Sequence, residues 1–315
     1  MRVSSLTAMT RQTLITIVGP TGVGKTAWAI EIAERLNGEI VSADSRQIYR
    51  GLDIGTGKPT RDQLARVRHH LIDCVTPDQA YTLADYQAAA YAAIEDVFTR
   101  GRQPLLVGGT GLYVRAVTEG LAIPPVPPNI ELRAQLEERA ASDGGESLYA
   151  ELQQVDPEAA TKIDPRNVRR TIRALEVFLT SGRKFSEAGR VEPLPFDVQR
   201  LGLTLPRDEL YRRVDRRVDA MIAQGWLDEV RALAARYDEA LPALSSLGYP
   251  QMRAVLHGTL TLDEAARDIK NHTHRFIRHQ YAWFRPADPR LAWFDLAVSS
   301  TATIMAKLDS AFVTR

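Results

Sequence analysis

The chain has 315 residues, room for two domains or one large domain with an insertion, and its 44% hydrophobic and 25% charged residues are ordinary for a globular protein with a sizeable core. Forty Lys+Arg against 39 Asp+Glu leave a net charge of +1, so bulk charge names no polyanionic partner, and any such partner must meet local basic patches. The single Cys74 excludes an intramolecular disulfide and a cysteine-built zinc site, which suits a reducing cytoplasm. The longest apolar run, the seven residues Ala88 to Ile94, is far short of the roughly 20 that span a bilayer, so no membrane is expected.

Residues 1–13 read as a flexible leader without the apolar stretch of a signal peptide, with Met9 as a rival start. LITIV (Leu14 to Val18) is the first expected strand; it runs into a Gly-rich turn and a helix from about Lys25 to Leu36. EIVS (Glu39 to Ser42) and HLID (His70 to Asp73) are further strands, TLADYQAAAYAAIEDVFTR a long helix, and PLLVGG (Pro104 to Gly109) a fourth strand. This alternation predicts a parallel sheet covered on both faces, with ligands at the carboxyl ends of the strands. IPPVPPN marks a stiff boundary, after which Asn129 to about Ser181 reads as helices broken at Gly144-Gly145 and Pro165. QRLGLTL (Gln199 to Leu205) returns as a strand, followed by helices near 207–224, 227–235, 248–257 and 262–284. The expectation is an α/β fold: a P-loop NTPase-like parallel sheet over 14–123 and 196–315, with a helical insertion at 124–195 and a helical C-terminal part.

GPTGVGKT (Gly19 to Thr26) fits G-x-x-x-x-G-K-[ST] between a strand and a helix, the context this motif requires. Gly19, Thr21, Gly22, Val23 and Gly24 supply inward backbone N–H groups, the helix N-terminus adds positive potential, Lys25 reaches the outer phosphates, and Thr26 is the candidate Mg²⁺ ligand. The motif names a polyphosphate without saying which. Taken alone it leads to a nucleotide-dependent kinase, with Asp73 as a second metal carboxylate.

Four further stretches narrow the reading: VSADSRQIYRGLDIGTGKPT (Val41 to Thr60) with HHLID, VGGTGLYVRA (Val107 to Ala116), LGYPQ (Leu247 to Gln251) and HTHRFIRHQYAWFR (His272 to Arg285). With GPTGVGKT and in this order they resemble the tRNA dimethylallyltransferases, also called tRNA isopentenyltransferases, from about residue 14 to 285. The resemblance implies transfer of a dimethylallyl group from dimethylallyl diphosphate to N6 of the adenosine 3′ of the anticodon, in tRNAs reading codons that begin with U. It assigns Asp44 as the base, Thr110 as its neighbour at the reacting centre, and Arg217 as the cation on the diphosphate. It also implies tRNA contacts by Ser45, Arg46, Gln47, Arg133, Arg169, Arg170, Arg173, Gly248, Tyr249, Gln251, Arg278, His279 and Gln280, with no protein partner required. Basic residues at His274 and His279 would be the family's usual choice. The chemistry agrees, since an allylic diphosphate ionises once its leaving group is neutralised, and a carboxylate within hydrogen-bond reach can accept the proton of a weakly nucleophilic amine.

Charge is clustered as such a substrate requires. Between Asp164 and Arg190 lie seven Lys+Arg against three acids, with Arg166, Arg169, Arg170 and Arg173 spaced to share one helix face. Between Arg267 and Arg290 lie six against two, interleaved with His272, His274, His279 and the rings of Phe276, Tyr281, Trp283 and Phe284. Those histidines do not converge on one metal ion. The rival readings are an adenylate dimethylallyltransferase acting on free nucleotides, a small-molecule kinase on the same fold, and an RNA-binding module with a vestigial phosphate loop.

Overall fold

The strands are β1 (Thr13–Val18), β2 (Gly38–Ser42), β3 (His69–His70), β4 (Gln103–Gly108), β5 (Asp197–Thr204) and β6 (Leu291–Asp295), of which β1, β2 and β4 are buried almost throughout while β3, β5 and β6 are only partly covered. In this computed structural model, which describes residues 11–124, 126–187 and 191–313, they pair in parallel in the order β3-β2-β4-β1-β5-β6. The order sets the loops after β2, β4 and β1 side by side at one edge of the sheet, where an open α/β sheet binds its ligands.

The helices in chain order are α1 (Lys25–Arg35), α2 (Arg61–Arg66), α3 (Leu83–Thr99), α4 (Gly111–Thr118), α5 (Ile130–Asp143), α6 (Gly145–Val155), α7 (Pro157–Lys162), α8 (Val168–Ser181), α9 (Arg207–Ala223), α10 (Trp226–Ala234), α11 (Tyr249–Leu256), α12 (Leu262–Trp283) and α13 (Thr301–Val313). Their starts follow local chemistry. Thr60 with Gln63 and Thr261 with Glu264 form reciprocal capping boxes on α2 and α12, and Asn129, Asp156 and Asn167 cap α5, α7 and α8. Among the described residues no helix is long and apolar enough to cross a membrane.

Two compact units result. One gathers the chain up to Tyr81, Tyr86–Val114 and everything from Pro195; the other holds Thr82–Asp85 and Arg115–Leu194. In the first, Ile15, Ile17, Leu105, Leu201 and Leu203 of the sheet pack with Ile30 of α1, Val214 of α9 and Ile277 of α12. A second apolar cluster joins Leu52, Trp226, Val230, Tyr249, Met252 and Ile269. The other unit closes on Leu136, Leu148, Leu152, Ile172 and Leu175 of α5, α6 and α8.

Several expectations need correction. HLID is a strand only at its first residue: β3 ends at His70 and the chain turns through Leu71 (φ 61°) and Asp73 (φ 56°). Strand β6 was missed, because five residues at a sheet edge announce themselves only through pairing with β5. The main segment of the second unit begins at Arg115, ahead of the proline run; Glu192 N–H donates to Gly120 C=O at 2.8 Å and Leu121 bridges Val191, so both ends of that segment are tied together before the prolines. The leader lies outside the described residues except for its end. There Thr13 belongs to β1 and Gln12 C=O accepts from Asp197 N–H at 2.8 Å.

Candidate active site

The phosphate loop joins β1 to α1. A Cβ on Gly19 would lie 2.4 Å from the Leu203 carbonyl oxygen, so this first glycine is demanded by the close approach of β5. Lys25 curls back over the loop, its Nζ donating to Gly19 C=O and Pro20 C=O, each at 2.9 Å. Loss of water around this ammonium lowers its pKa to about 8, against the attraction of Asp44 and with the repulsion of Arg217. Desolvation lowers Arg217 too, and Asp44 again opposes the fall. Two cations and one carboxylate from three distant segments therefore share one electrostatic site.

Asp44 follows β2. Its Oδ1 accepts from Arg46 N–H at 2.9 Å and Gln47 N–H at 3.4 Å, the turn-capping role open to any Asp after a strand. Oδ2 has no hydrogen-bond partner among the described residues. Thr110 follows the neighbouring strand β4: its N–H donates to Ala43 C=O at 3.2 Å, and its Oγ1 accepts from Ser45 N–H at 3.0 Å. The two strand ends are thereby laced together, which fixes the Asp44 carboxylate relative to the Thr110 hydroxyl.

Arg217 projects from α9 between the buried Val214 and Val218. It lies against Gly57, where φ is +59° and a Cβ would be 1.6 Å from its Nη2. The loop carrying Gly57 is held from both sides. Gln47 Nε2 donates to Gly57 C=O at 3.2 Å, and Glu229 accepts from the N–H groups of Asp53, Ile54 and Gly55 at 2.9, 2.6 and 3.2 Å. The glycines of GLDIGTGKPT were the available sign of this close approach; Glu229 carried no local sign.

Helix α12 completes the site. Gln280 spans the phosphate loop and the β4–α4 turn, Oε1 accepting from Thr21 N–H at 2.9 Å and Nε2 donating to Gly109 C=O at 3.1 Å. Trp283 covers Gly111, where a Cβ would be 2.3 Å from the indole Cγ. Thr21, Lys25, Asp44, Thr110, Arg217 and Gln280 line one cavity of about 810 Å³, whose remaining wall includes Phe276, His279 and Trp283. Phe276 and Trp283 stay 44% and 46% exposed, so the cavity offers apolar and aromatic surface beside its charges.

The family model described as IPP transferase matches residues 47–287. The chain belongs to that family. It is 53% identical to the tRNA dimethylallyltransferase of Thermomicrobium roseum over 287 residues, 91% of this chain and 87% of that one. Against the tRNA dimethylallyltransferase of Dehalococcoides mccartyi the identity is 45% over 293 residues, 93% of this chain and 90% of the other. Among solved structures, the full-length tRNA isopentenylpyrophosphate transferase of Bacillus halodurans matches with a TM-score of 0.70 at 39% identity, covering 96% of each chain. A eukaryotic dimethylallyltransferase acting on tRNA matches with a TM-score of 0.79 at 25% identity, covering 96% of this chain and 80% of that one. The P-loop NTPase-like parallel sheet is the fold of this IPP transferase family member, as the strand and motif pattern predicted.

Within this IPP transferase the residues singled out from the sequence sort into three groups. Asp44, Ser45, Arg46, Thr110, Arg217, Gln251, His279 and Gln280 meet at the cavity with Thr21 and Lys25. Gly22, Val23, Gly24 and Thr26 build the loop and the first turn of α1. Others do different work. Tyr249 is 2% exposed and donates its hydroxyl to Glu229 at 2.8 Å, which makes it part of the core. Gly248 gives way to Trp226, 2.1 Å from where its Cβ would be. Gln47 braces the Gly57 loop, and Arg278 is exposed with Nη1 donating to the Tyr211 hydroxyl at 3.2 Å. His274 pairs with Asp215 at 2.8 Å and stacks on Tyr211, a staple between α12 and α9. Arg213 pairs with Glu209 on its own helix. Asp73, the kinase reading's metal carboxylate, faces Lys58 instead.

The basic face on α8 is smaller than its spacing implied. Asn167 caps the helix, so Arg166 lies outside it, paired with Asp164 at 2.7 Å. Arg173 and Arg133 both grip Glu176, a carboxylate with 0% exposure, and Arg173 also donates to Val126 C=O. Burial pushes Glu176 up, but the hydrogen bonds from Arg133, Arg173 and the Asn129 N–H outweigh it and hold the carboxyl below its ordinary value. Only Arg169 and Arg170 of the four stand exposed on the helix. Arg190 lies outside the described residues.

Proposed function

We propose that the chain transfers the dimethylallyl group of dimethylallyl diphosphate to N6 of the adenosine 3′ of the anticodon in tRNAs reading UNN codons. One observation carries the reading: Lys25 and Arg217 of the phosphate subsite and Asp44 and Thr110 of the acceptor subsite line the same cavity. A bond forms between N6 and the allylic carbon while the carbon–oxygen bond to diphosphate breaks. The departing diphosphate is neutralised by Lys25, Arg217 and the loop N–H groups. The N6 proton passes to Asp44, whose Oδ2 is not engaged by its own turn. Thr110, locked to Ser45 N–H, keeps its oxygen beside that carboxylate. A flipped base from a single-stranded anticodon loop reaches such a site more readily than one in a duplex, and Phe276 and Trp283 offer it stacking surface.

The residues fit Mg²⁺. Thr26 follows Lys25 on α1, is partly exposed and makes no hydrogen bond through its hydroxyl among the described residues. A hard oxygen at that point suits an ion that takes most of its ligands from phosphate and water. Bound there, Mg²⁺ would add positive charge to the leaving group.

The test is purified protein with Mg²⁺, labelled dimethylallyl diphosphate and unmodified tRNA. Label should enter tRNA at the adenosine 3′ of the anticodon with no ATP consumed. Stoichiometric ATP turnover would sink the reading, and label in free AMP or ATP but not in tRNA would move the activity to the free-nucleotide class.

A further inference from the structure

Gln280 is 4% exposed, and both ends of its amide are bonded inside the site. It is therefore no surface contact for RNA as it stands. Its position relative to Lys25 is informative: a Cβ on Gly109 would lie 2.4 Å from Gln280 Nε2 and 3.5 Å from Lys25 Nζ, so amide and ammonium crowd the same point. In a nucleotide-binding phosphate loop the backbone N–H groups cradle the inner phosphates and the lysine reaches the outermost ones. Here the space beside the lysine head is filled by a neutral amide, and one loop N–H, that of Thr21, is already taken by it.

We propose that Gln280 sets the length of phosphate chain the loop accepts. A diphosphate fits beneath the amide. A third phosphate, on a nucleoside triphosphate or as inorganic tripolyphosphate, has to displace it, leaving Thr21 N–H and Gly109 C=O to find new partners. Three anchors hold the amide: the Thr21 N–H, the Gly109 carbonyl and the buried seat on α12 beside Ile277. The residue thus converts a loop whose sequence reads as nucleotide-binding into one selective for a diphosphate. The inference rests on reading the loop as a diphosphate site, but its test needs neither the prenyl group nor tRNA.

The experiment is calorimetric titration of wild type, Gln280→Ala and Gln280→Met with inorganic diphosphate and inorganic tripolyphosphate in Mg²⁺, with ATP as a third ligand. Wild type should bind diphosphate at least about tenfold more tightly than tripolyphosphate, the effect of one displaced hydrogen-bonding group. Gln280→Ala should bring that ratio to about one and admit ATP. Gln280→Met keeps the bulk without the hydrogen bonds and should fall between the two. A wild type that binds tripolyphosphate or ATP as tightly as diphosphate overturns the proposal, even if the alanine variant does not fold. An unchanged ratio in a folded alanine variant overturns it as well. Prenyl transfer by the same wild-type preparation is measured alongside: its absence would remove the proposed activity while leaving the phosphate-length result to stand or fall by itself.

Discussion

At the scale of single residues, Oδ1 of Asp44 caps its turn, and the proposed proton transfer falls to its other oxygen. Asp44→Asn keeps an oxygen for the cap, so the thermal midpoint should change little while the single-turnover rate falls by about 10²- to 10⁴-fold, the usual range for a general base. A near wild-type rate would return Asp44 to turn capping alone. Lys25 makes a second prediction. With a pKa of about 8 in the folded protein, it is partly deprotonated above that pH, and an incoming diphosphate must restore its proton. Diphosphate binding at pH 8.5 should therefore take up protons, seen as a dependence of calorimetric heat on buffer ionisation enthalpy, and affinity should weaken as pH rises further. The same shift acts on stability with a definite sign: between about 8 and 10.5 the unfolded chain holds more protons at this residue, so its contribution to stability improves as pH rises through that window.

At the scale of elements, Leu52 and Ile54 of the loop after β2 pack with Val218 of α9, and Arg217 rests on that loop at Gly57. Gly57→Ala would drive a methyl into the Arg217 guanidinium in a left-handed conformation, so kcat/KM for the prenyl donor should fall by up to about 100-fold, as a displaced positioning group can cause. Unaltered steady-state kinetics would show that Arg217 does not need this seat. Helix α8 separates binding from architecture. Replacing the exposed Arg169 and Arg170 with Gln should flatten the plot of log K for tRNA against log salt by up to about 2 units, at roughly 0.7 to 0.9 per phosphate contact. Arg173→Gln should instead lower stability by about 1.5–3 kcal/mol, because it removes a charged hydrogen bond from the buried Glu176. Parallel salt plots for wild type and the double variant would defeat the RNA-binding role of this helix.

At the scale of the whole molecule, the sheet is anchored at its other end by Glu39, 1% exposed at the start of β2. Its carboxylate takes Arg100, His70 and Arg102, with Arg68 at 4.0 Å. The Arg100 hydrogen bonds, with help from His70, hold its pKa down to about 2 against burial. A depressed carboxylate contributes stability that is complete above its ordinary value near 4.5 and is lost as pH falls through 2. Urea midpoints measured from pH 6 to pH 2 should drop over that interval, and Glu39→Gln should start lower and show a shallower decline. Equal slopes would place the acid sensitivity elsewhere.

How much was legible in advance follows the range of the interactions involved. The phosphate loop, the strand-end position of Asp44 and the alternation that builds a parallel sheet are decided by residues within a few places of one another, and the sequence by itself determined them. HLID misled because two left-handed residues bend the chain before an apolar run can extend, and β6 escaped because an edge strand is defined by its neighbour. Even the α8 stripe depended on Asn167 starting the helix just after Arg166, a local signal, and on the buried Glu176 holding Arg173 together with Arg133 of α5, a contact across helices. Only the tertiary structure decided that Arg217 rests on Gly57, that Tyr249 belongs to the core, and that Gln280 reaches Thr21 across 259 positions of chain. Periodicity and turn chemistry report which face a residue presents; which distant segment fills the space opposite is settled by packing, and that is where the specificity of this site is set.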